Sequence, residues 1–244
     1  MKDSTTLAIG DGANDVNMIA AAHVGVGISG LEGQQAARSS DYAIGQFKFL
    51  KQLLFVHGRE AYRRNSFLIS FMFFKNIVFV TPIFCAGYYS FFSATPIYND
   101  PLYQCFNLIF TSWPILIFAV FDFEYEKSEL LKNPKHYKIG FNNELFAKKV
   151  FSKWFLTGML YGALIFFLCF FAINSDSPNG KTNSNIAVSG QLVFASVVFL
   201  ANMKIFLSSH NITGLSWFFC HCSSLVFALF FWFFNLFSGQ DIYL

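Results

Sequence analysis

Charged side chains are scarce in this sequence: Lys, Arg, Asp and Glu make up 13% of its 244 residues, against 55% hydrophobic, and the mean hydropathy is +0.45. That balance excludes an ordinary soluble globule. With 35 phenylalanines and 20% aromatic residues, the chain carries more apolar surface than a body of this size can bury without a second apolar solvent, and lipid is that solvent. A net charge of only +3 gives no electrostatic footprint for a nucleic-acid partner. Five cysteines are an odd set, and Cys85, Cys105, Cys169 and Cys220 sit in apolar runs, so a disulfide framework is excluded. No signal peptide is expected at the start. The run from Leu102 to Val120 holds no Asp or Glu, which removes the carboxylate oxygens that a transported cation needs in place of its hydration shell.

What is present divides at about residue 60. Before it, glycine-rich sequence reads as strand Thr5 to Ile9, helix Asn14 to Ala22, strand Val24 to Ile28, helix Leu31 to Ser39 and strand Asp41 to Ile44, a βαβαβ alternation that predicts a parallel sheet. A piece of about 60 residues buries only about 60% of its unfolded surface, so it is not expected to fold alone. After Ser66, five segments reach the roughly 20 helical residues that cross a hydrocarbon core: 66–90, 102–121, 154–173, 188–208 and 214–237.

The basic residues orient these spans. Arg59, Arg63 and Arg64 precede the first, and Lys127, Lys132, Lys135, Lys138, Lys148, Lys149 and Lys153 lie between the second and third, so residues 1–65 and 122–153 are expected to be cytosolic. Residues 91–101 lack Lys and Arg, and 174–187 have only Lys181, which places both on the exoplasmic or lumenal side. The sequon Asn211-Ile212-Thr213 then faces the cytosol and is expected to carry no glycan. Five spans would leave Ser238 to Leu244 on the far side, with room for a further helix. Pro82 and Pro114 each remove a backbone donor inside a span and predict local kinks.

The string GDGANDVNMI, Gly10 to Ile19, follows an apolar strand and opens a helix, at the carboxyl end of the expected sheet. Gly10 and Gly12 permit a turn that brings backbone amides to a phosphate. Asp11 can offer a hard oxygen to Mg²⁺, Asn14 can donate its amide to a phosphoryl oxygen, and Asp15 can hold the loop or assist at the metal. From spacing alone, a polar turn capped by Asp and Asn explains the same residues.

GDGAND followed by VNMI resembles the hinge-side motif of the phosphorylation domain of P-type ATPases, within the haloacid-dehalogenase-like superfamily. The continuation GISGLEGQQAARSSDYAIGQFKFLKQLLFVHGREAY, Gly27 to Tyr62, is similar to the type IV members, the phospholipid flippases. So are FFKN in the first span, FNLIFTSWPILIFAVFD in the second and NPKHYKIGFNNELF in the loop after it, whereas from about Asn174 onward only the spacing of spans agrees. The resemblance implies a fold with two parts: residues 1–60 as the end of the phosphorylation domain with a linker helix, and 61–244 as an all-α transmembrane bundle. It implies Asp11 as the Mg²⁺ ligand, with Asn14 and Asp15 as phosphate-site and Mg²⁺-site partners. ATP would be bound mainly by domains absent from this sequence, as are the nucleophilic aspartate of a DKTG motif, the actuator glutamate, the first four spans and the tenth. The chain alone is therefore expected to be inactive. A small two-span accessory subunit is implied as a partner, with phospholipid as the substrate.

Within the spans, Lys75 lies mid-segment, where an ammonium costs roughly 3 kcal/mol to insert and faces protein or a wet groove. By resemblance it matches a lysine beside the lipid path, with Asn76 next to it and Asn107 near the headgroup route. Thr111 and Ser112 continue the polar stripe of Asn107, for which helix packing is the plainer account. Lys204 is expected to snorkel to the cytosolic interface. Cys220, His221 and Cys222 are too few for a closed metal site, and His23 is expected to be structural. A helix from Phe47 to Arg64, continuous with the first span, would couple the phosphate site to the lipid path. The competing functions are a non-catalytic truncated membrane protein and, disfavoured by the acid-free second span, a cation-transporting P-type ATPase.

Overall fold

The computed structural model describes residues 5–30, 34–93, 95–173 and 186–237. The expected features of residues 31–33, of the loop around Lys181 and of the tail from Ser238 lie outside these. The chain separates into two units, Met1–Ala61 with Tyr125–Lys138, and Tyr62–Glu124 with Ile139–Leu244.

The first unit is built on a three-stranded parallel sheet in the order β1 (Leu7–Gly10), β2 (Val24–Ile28), β3 (Tyr42–Ile44). Leu7 stands opposite Val24, and Val26 opposite Tyr42. The strands are short apolar runs, as parallel strands buried by crossover helices require. Val26 is fully buried, and Ile19 and Ala36, from the helices Val16–Ala21 and Gln35–Arg38, close over the sheet. The helix expected from Asn14 begins instead as a 3₁₀ turn, Ala13–Asp15, because the glycine-rich loop tightens the entry before the α-helix opens at Val16. His23 is structural, as expected: its Nδ1 accepts from the Thr6 N–H at 3.2 Å and lies 2.8 Å from the Thr6 hydroxyl. The segment Tyr125–Lys138 joins this unit through an edge contact of the Phe55 and Tyr137 rings and through Arg59, whose guanidinium lies 5.1 Å from the Tyr125 ring centre.

Among the described residues, five helices are long and apolar enough to span a membrane. The first is the helical run Phe47–Tyr89, which becomes α-helix at Arg59 after a π-helical stretch, Leu53–Gly58, so the run is not uniformly α-helical. The others are Asp100–Phe121, Lys148–Ile173, Ile186–Ser208 and Gly214–Phe237. Each begins within a few residues of its expected position except the first and third, which extend further toward the N-terminus.

A continuous apolar core of the second unit runs through Phe71, Phe74, Val78, Phe106, Phe110, Phe118, Val193, Phe194, Val197 and Phe227. Phe106 stacks on Phe79 with ring centres 4.1 Å apart. The third span approaches the first through Gly158 and Gly162. A Cβ on Gly162 would stand 2.7 Å from Thr81 and 3.1 Å from the Val78 carbonyl, so a small-xxx-small pair is what lets the two backbones meet.

Candidate functional site

The loop after β1 carries the first group of candidates. Asp15 turns its carboxylate back over the loop, where Oδ2 accepts from the backbone N–H of Asp11 at 3.1 Å and of Gly12 at 3.4 Å. That bond pair fixes the loop and occupies one oxygen of Asp15. Asp11 and Asn14 are exposed at the carboxyl edge of the sheet. No group of three or more His, Cys, Asp or Glu gathers among the described residues. The loop therefore presents one exposed carboxylate with a second beside it, a donor set that suits a Mg²⁺ ion completed by phosphate oxygens and water, and does not suit an all-protein metal cage.

The second group lies in the spans, and the structure treats its members differently. Lys75 is 1% exposed, inside the bundle. Its Nζ donates to the Thr111 hydroxyl at 2.9 Å and lies 6.0 Å from the Phe106 ring centre. Among the described residues no carboxylate pairs with it. Asn76 and Asn107 are exposed on their helices and make no side-chain hydrogen bond with Lys75. The three candidates are thus on adjacent elements but do not share one hydrogen-bonded cluster.

The distortion in the second span explains why Thr111 reaches Lys75. Residues Phe106–Phe110 form a π-helical turn, after which the α-helix restarts at Ser112. Pro114 has no N–H, so the carbonyl four residues earlier, on Phe110, loses its helical partner. Two side chains replace it: Asn202 of the fourth span donates its Nδ2 to Phe110 O at 3.1 Å, and the Ser223 hydroxyl of the fifth also donates to it. Within the widened turn, the Thr111 hydroxyl donates to Phe106 O at 2.8 Å. The Ser112 hydroxyl likewise donates to Asn107 O. Thr111 is therefore more than a packing residue, which corrects the plainer expectation; Ser112 satisfies its own helix.

Lys204 lies near the end of the fourth span. Its ammonium lies 4.9 Å from the ring centre of Trp154, at the start of the third span, and 5.9 Å from that of Phe74, over aromatic faces that stabilise a cation.

Asp122, at the end of the second span, had drawn no assignment from the sequence. It is 2% exposed; Oδ2 lies 2.8 Å from Arg63 Nη1, and Oδ1 accepts from the backbone N–H groups of His210 and Asn211 at 2.8 and 2.9 Å. One carboxylate therefore ties together the approach to the first span, the exit of the second and the turn between the fourth and fifth. An acid at the edge of an apolar run, with a paired Arg on the facing end, was the available signal.

Five apolar spans bearing an internal lysine, with a small parallel sheet ahead of them, define an integral multi-pass membrane protein. Residues 37–243 match the family described as phospholipid-translocating P-type ATPase, C-terminal, and the chain belongs to that family. It is 42% identical over 213 residues to probable phospholipid-transporting ATPase 11 of Arabidopsis thaliana, covering 86% of this chain and 18% of that protein. To phospholipid-transporting ATPase IH of Homo sapiens it is 39% identical over 227 residues, 92% of this chain and 20% of that protein. To phospholipid-transporting ATPase DRS2 of Saccharomyces cerevisiae it is 47% identical over 164 residues, 67% of this chain and 12% of that protein. The chain thus spans a fifth or less of the length of these relatives.

Proposed function

We propose that this chain forms part of an ATP-driven phospholipid translocase that moves lipid from the exoplasmic or lumenal leaflet to the cytosolic one through an aspartyl-phosphate intermediate. The observation that carries the reading is the similarity to phospholipid-transporting ATPases along residues 37–243, through both the spans and the segment before them. The buried Lys75 supports it, because a cation held inside an acid-free part of the bundle suits a phosphate-bearing headgroup and repels a transported metal cation.

In this reading residues 1–60 are the end of a haloacid-dehalogenase-like phosphorylation domain. The attacking aspartate lies outside these 244 residues, since the sequence has no DKTG. Its carboxylate would take the γ-phosphoryl group of ATP with release of ADP, and attack of water on the acyl phosphate would release inorganic phosphate and return the carboxylate. Mg²⁺, when bound, neutralises phosphoryl charge, and Asp11 would hold it. Asn14 would donate to a phosphoryl oxygen, while Asp15 keeps the Asp11 and Gly12 amides in register. Lys75, Asn76 and Asn107 would line the lipid route, and the acyl chains would stay in the bilayer. Residues 1–65 and 122–153 would be cytosolic, and a two-span accessory subunit would be the protein partner.

The test is lipid-stimulated ATPase activity of the intact flippase carrying these residues, purified and reconstituted in vesicles of defined phospholipid. Asp11→Asn is expected to abolish phosphoenzyme formation, and Lys75→Ala to raise the lipid concentration for half-maximal stimulation. Stimulation by a metal cation with no lipid requirement would replace this reading with a cation pump. A protein that never becomes phosphorylated from ATP would replace it with a non-catalytic membrane role.

A further inference from the structure

Resting on that reading of Lys75, we propose that Thr111 is the residue that positions its ammonium for the lipid headgroup, and that the π turn of the second span exists to present it. The argument begins with donor and acceptor roles. An ammonium only donates, so in the 2.9 Å contact the Thr111 oxygen must accept. The hydroxyl proton is then committed elsewhere, and the Phe106 carbonyl at 2.8 Å takes it. The result is a directed chain from Lys75 N–H through Thr111 O–H to the Phe106 carbonyl, with one polarity and no alternative orientation.

The chain is anchored from the other side as well. Thr111 sits where the helix breaks, with φ −131° and ψ −2°, between the π turn and the restart at Ser112. The carbonyl next to it, on Phe110, is gripped by Asn202 and Ser223 from two different spans. Thr111 therefore cannot drift along its helix axis without loosening three helices. The choice of partner has a chemical consequence. A carboxylate at this point would neutralise Lys75, whereas a hydroxyl fixes its direction and leaves the full charge, with two further N–H donors, for an anionic phosphate.

Thr111→Val keeps the shape and removes the acceptor, and Thr111→Ser keeps the hydroxyl. In the reconstituted intact flippase, Thr111→Val is expected to raise the lipid concentration for half-maximal ATPase stimulation about threefold to tenfold, the size of effect one such membrane hydrogen bond carries. Maximal turnover should change far less, and Thr111→Ser should restore the wild-type lipid dependence. A normal lipid dependence in Thr111→Val, beside a shifted one in Lys75→Ala, would overturn the positioning role alone. A lipid dependence shifted as far in Thr111→Ser as in Thr111→Val would also overturn it, because restoring the hydroxyl would then restore nothing. An unshifted Lys75→Ala would remove the lipid-route reading itself, and the positioning role with it.

Discussion

Asp122 is the residue whose loss should be felt most. Its carboxylate is out of water beside a guanidinium and two backbone amides, so removing it takes the Asp122 charge from the buried Arg63 and this acceptor from the His210 and Asn211 N–H groups. Breaking a buried pair by deleting one partner costs about 3 to 5 kcal/mol. Asp122→Ala is therefore expected to lower the thermal unfolding temperature of the detergent-purified protein by many degrees, read by the midpoint of its loss from the monodisperse size-exclusion peak. Asp122→Asn keeps one acceptor oxygen for the amides and should fall between. An unchanged midpoint in the Ala variant would show that the carboxylate carries no share of the stability. At the same scale, Lys204 illustrates how an apolar setting disposes of a cation without an acid: the Trp154 and Phe74 faces do it.

At the scale of elements, Pro114 and the Gly158 and Gly162 pair decide how the spans meet. Pro114 orphans the Phe110 carbonyl, and Ser223 and Asn202 reclaim it. This makes the hydrogen bond of Ser223 conditional on the proline. Ser223→Ala is expected to cost about 0.6 to 1.7 kcal/mol in the native sequence and less once Pro114→Ala has restored the helical donor. The double-mutant cycle on thermal stability measures that coupling, and strict additivity would contradict it. Gly162 makes a sharper test of close approach. Gly162→Ala would place a methyl against Thr81 and the Val78 carbonyl, with an overpacking cost of about 1 to 3 kcal/mol. Gly214→Ala meets nothing within 4 Å and should leave the unfolding midpoint where it is.

At the scale of the whole molecule, orientation in the membrane is the property with the simplest readout. Arg63, Asp122 and the His210-Asn211 turn meet at one end of the span bundle, so whichever side holds the Arg-rich approach also holds the sequon at Asn211. On the proposed topology, the excess of Lys and Arg would put that side in the cytosol. In membranes from a glycosylating cell, the protein should show no mobility shift on treatment with peptide N-glycosidase, and a sequon engineered into residues 174–187 should produce one. A glycan on Asn211 would invert the proposed topology. The third and fifth spans present rows of exposed apolar side chains, among them Leu156, Leu160, Leu164 and Leu168 on the one and Leu225, Leu229 and Trp232 on the other. In a bilayer such faces meet lipid tails or further helices at no solvation cost, so their exposure is consistent with the span assignment.

Read along the chain, hydropathy and charge sufficed to find five segments long and apolar enough to cross a membrane, three of them starting within a few residues of the observed helices, and a βαβαβ run ahead of them that forms a parallel sheet. These are local properties: a run of apolar residues partitions into lipid whatever its neighbours, and a strand pattern has period two wherever it sits. The family was legible as well, because GDGAND and the following stretch are contiguous. Only the tertiary structure decided that Lys75 faces Thr111 and not Asn107, that Asp122 is a junction, and that Pro114 is answered by side chains 92 and 113 residues from the carbonyl at Phe110. Such pairings depend on which helices stand side by side and on which face each turns inward. A π turn shifts that face by one residue, so its effect can be read only once the helices are packed.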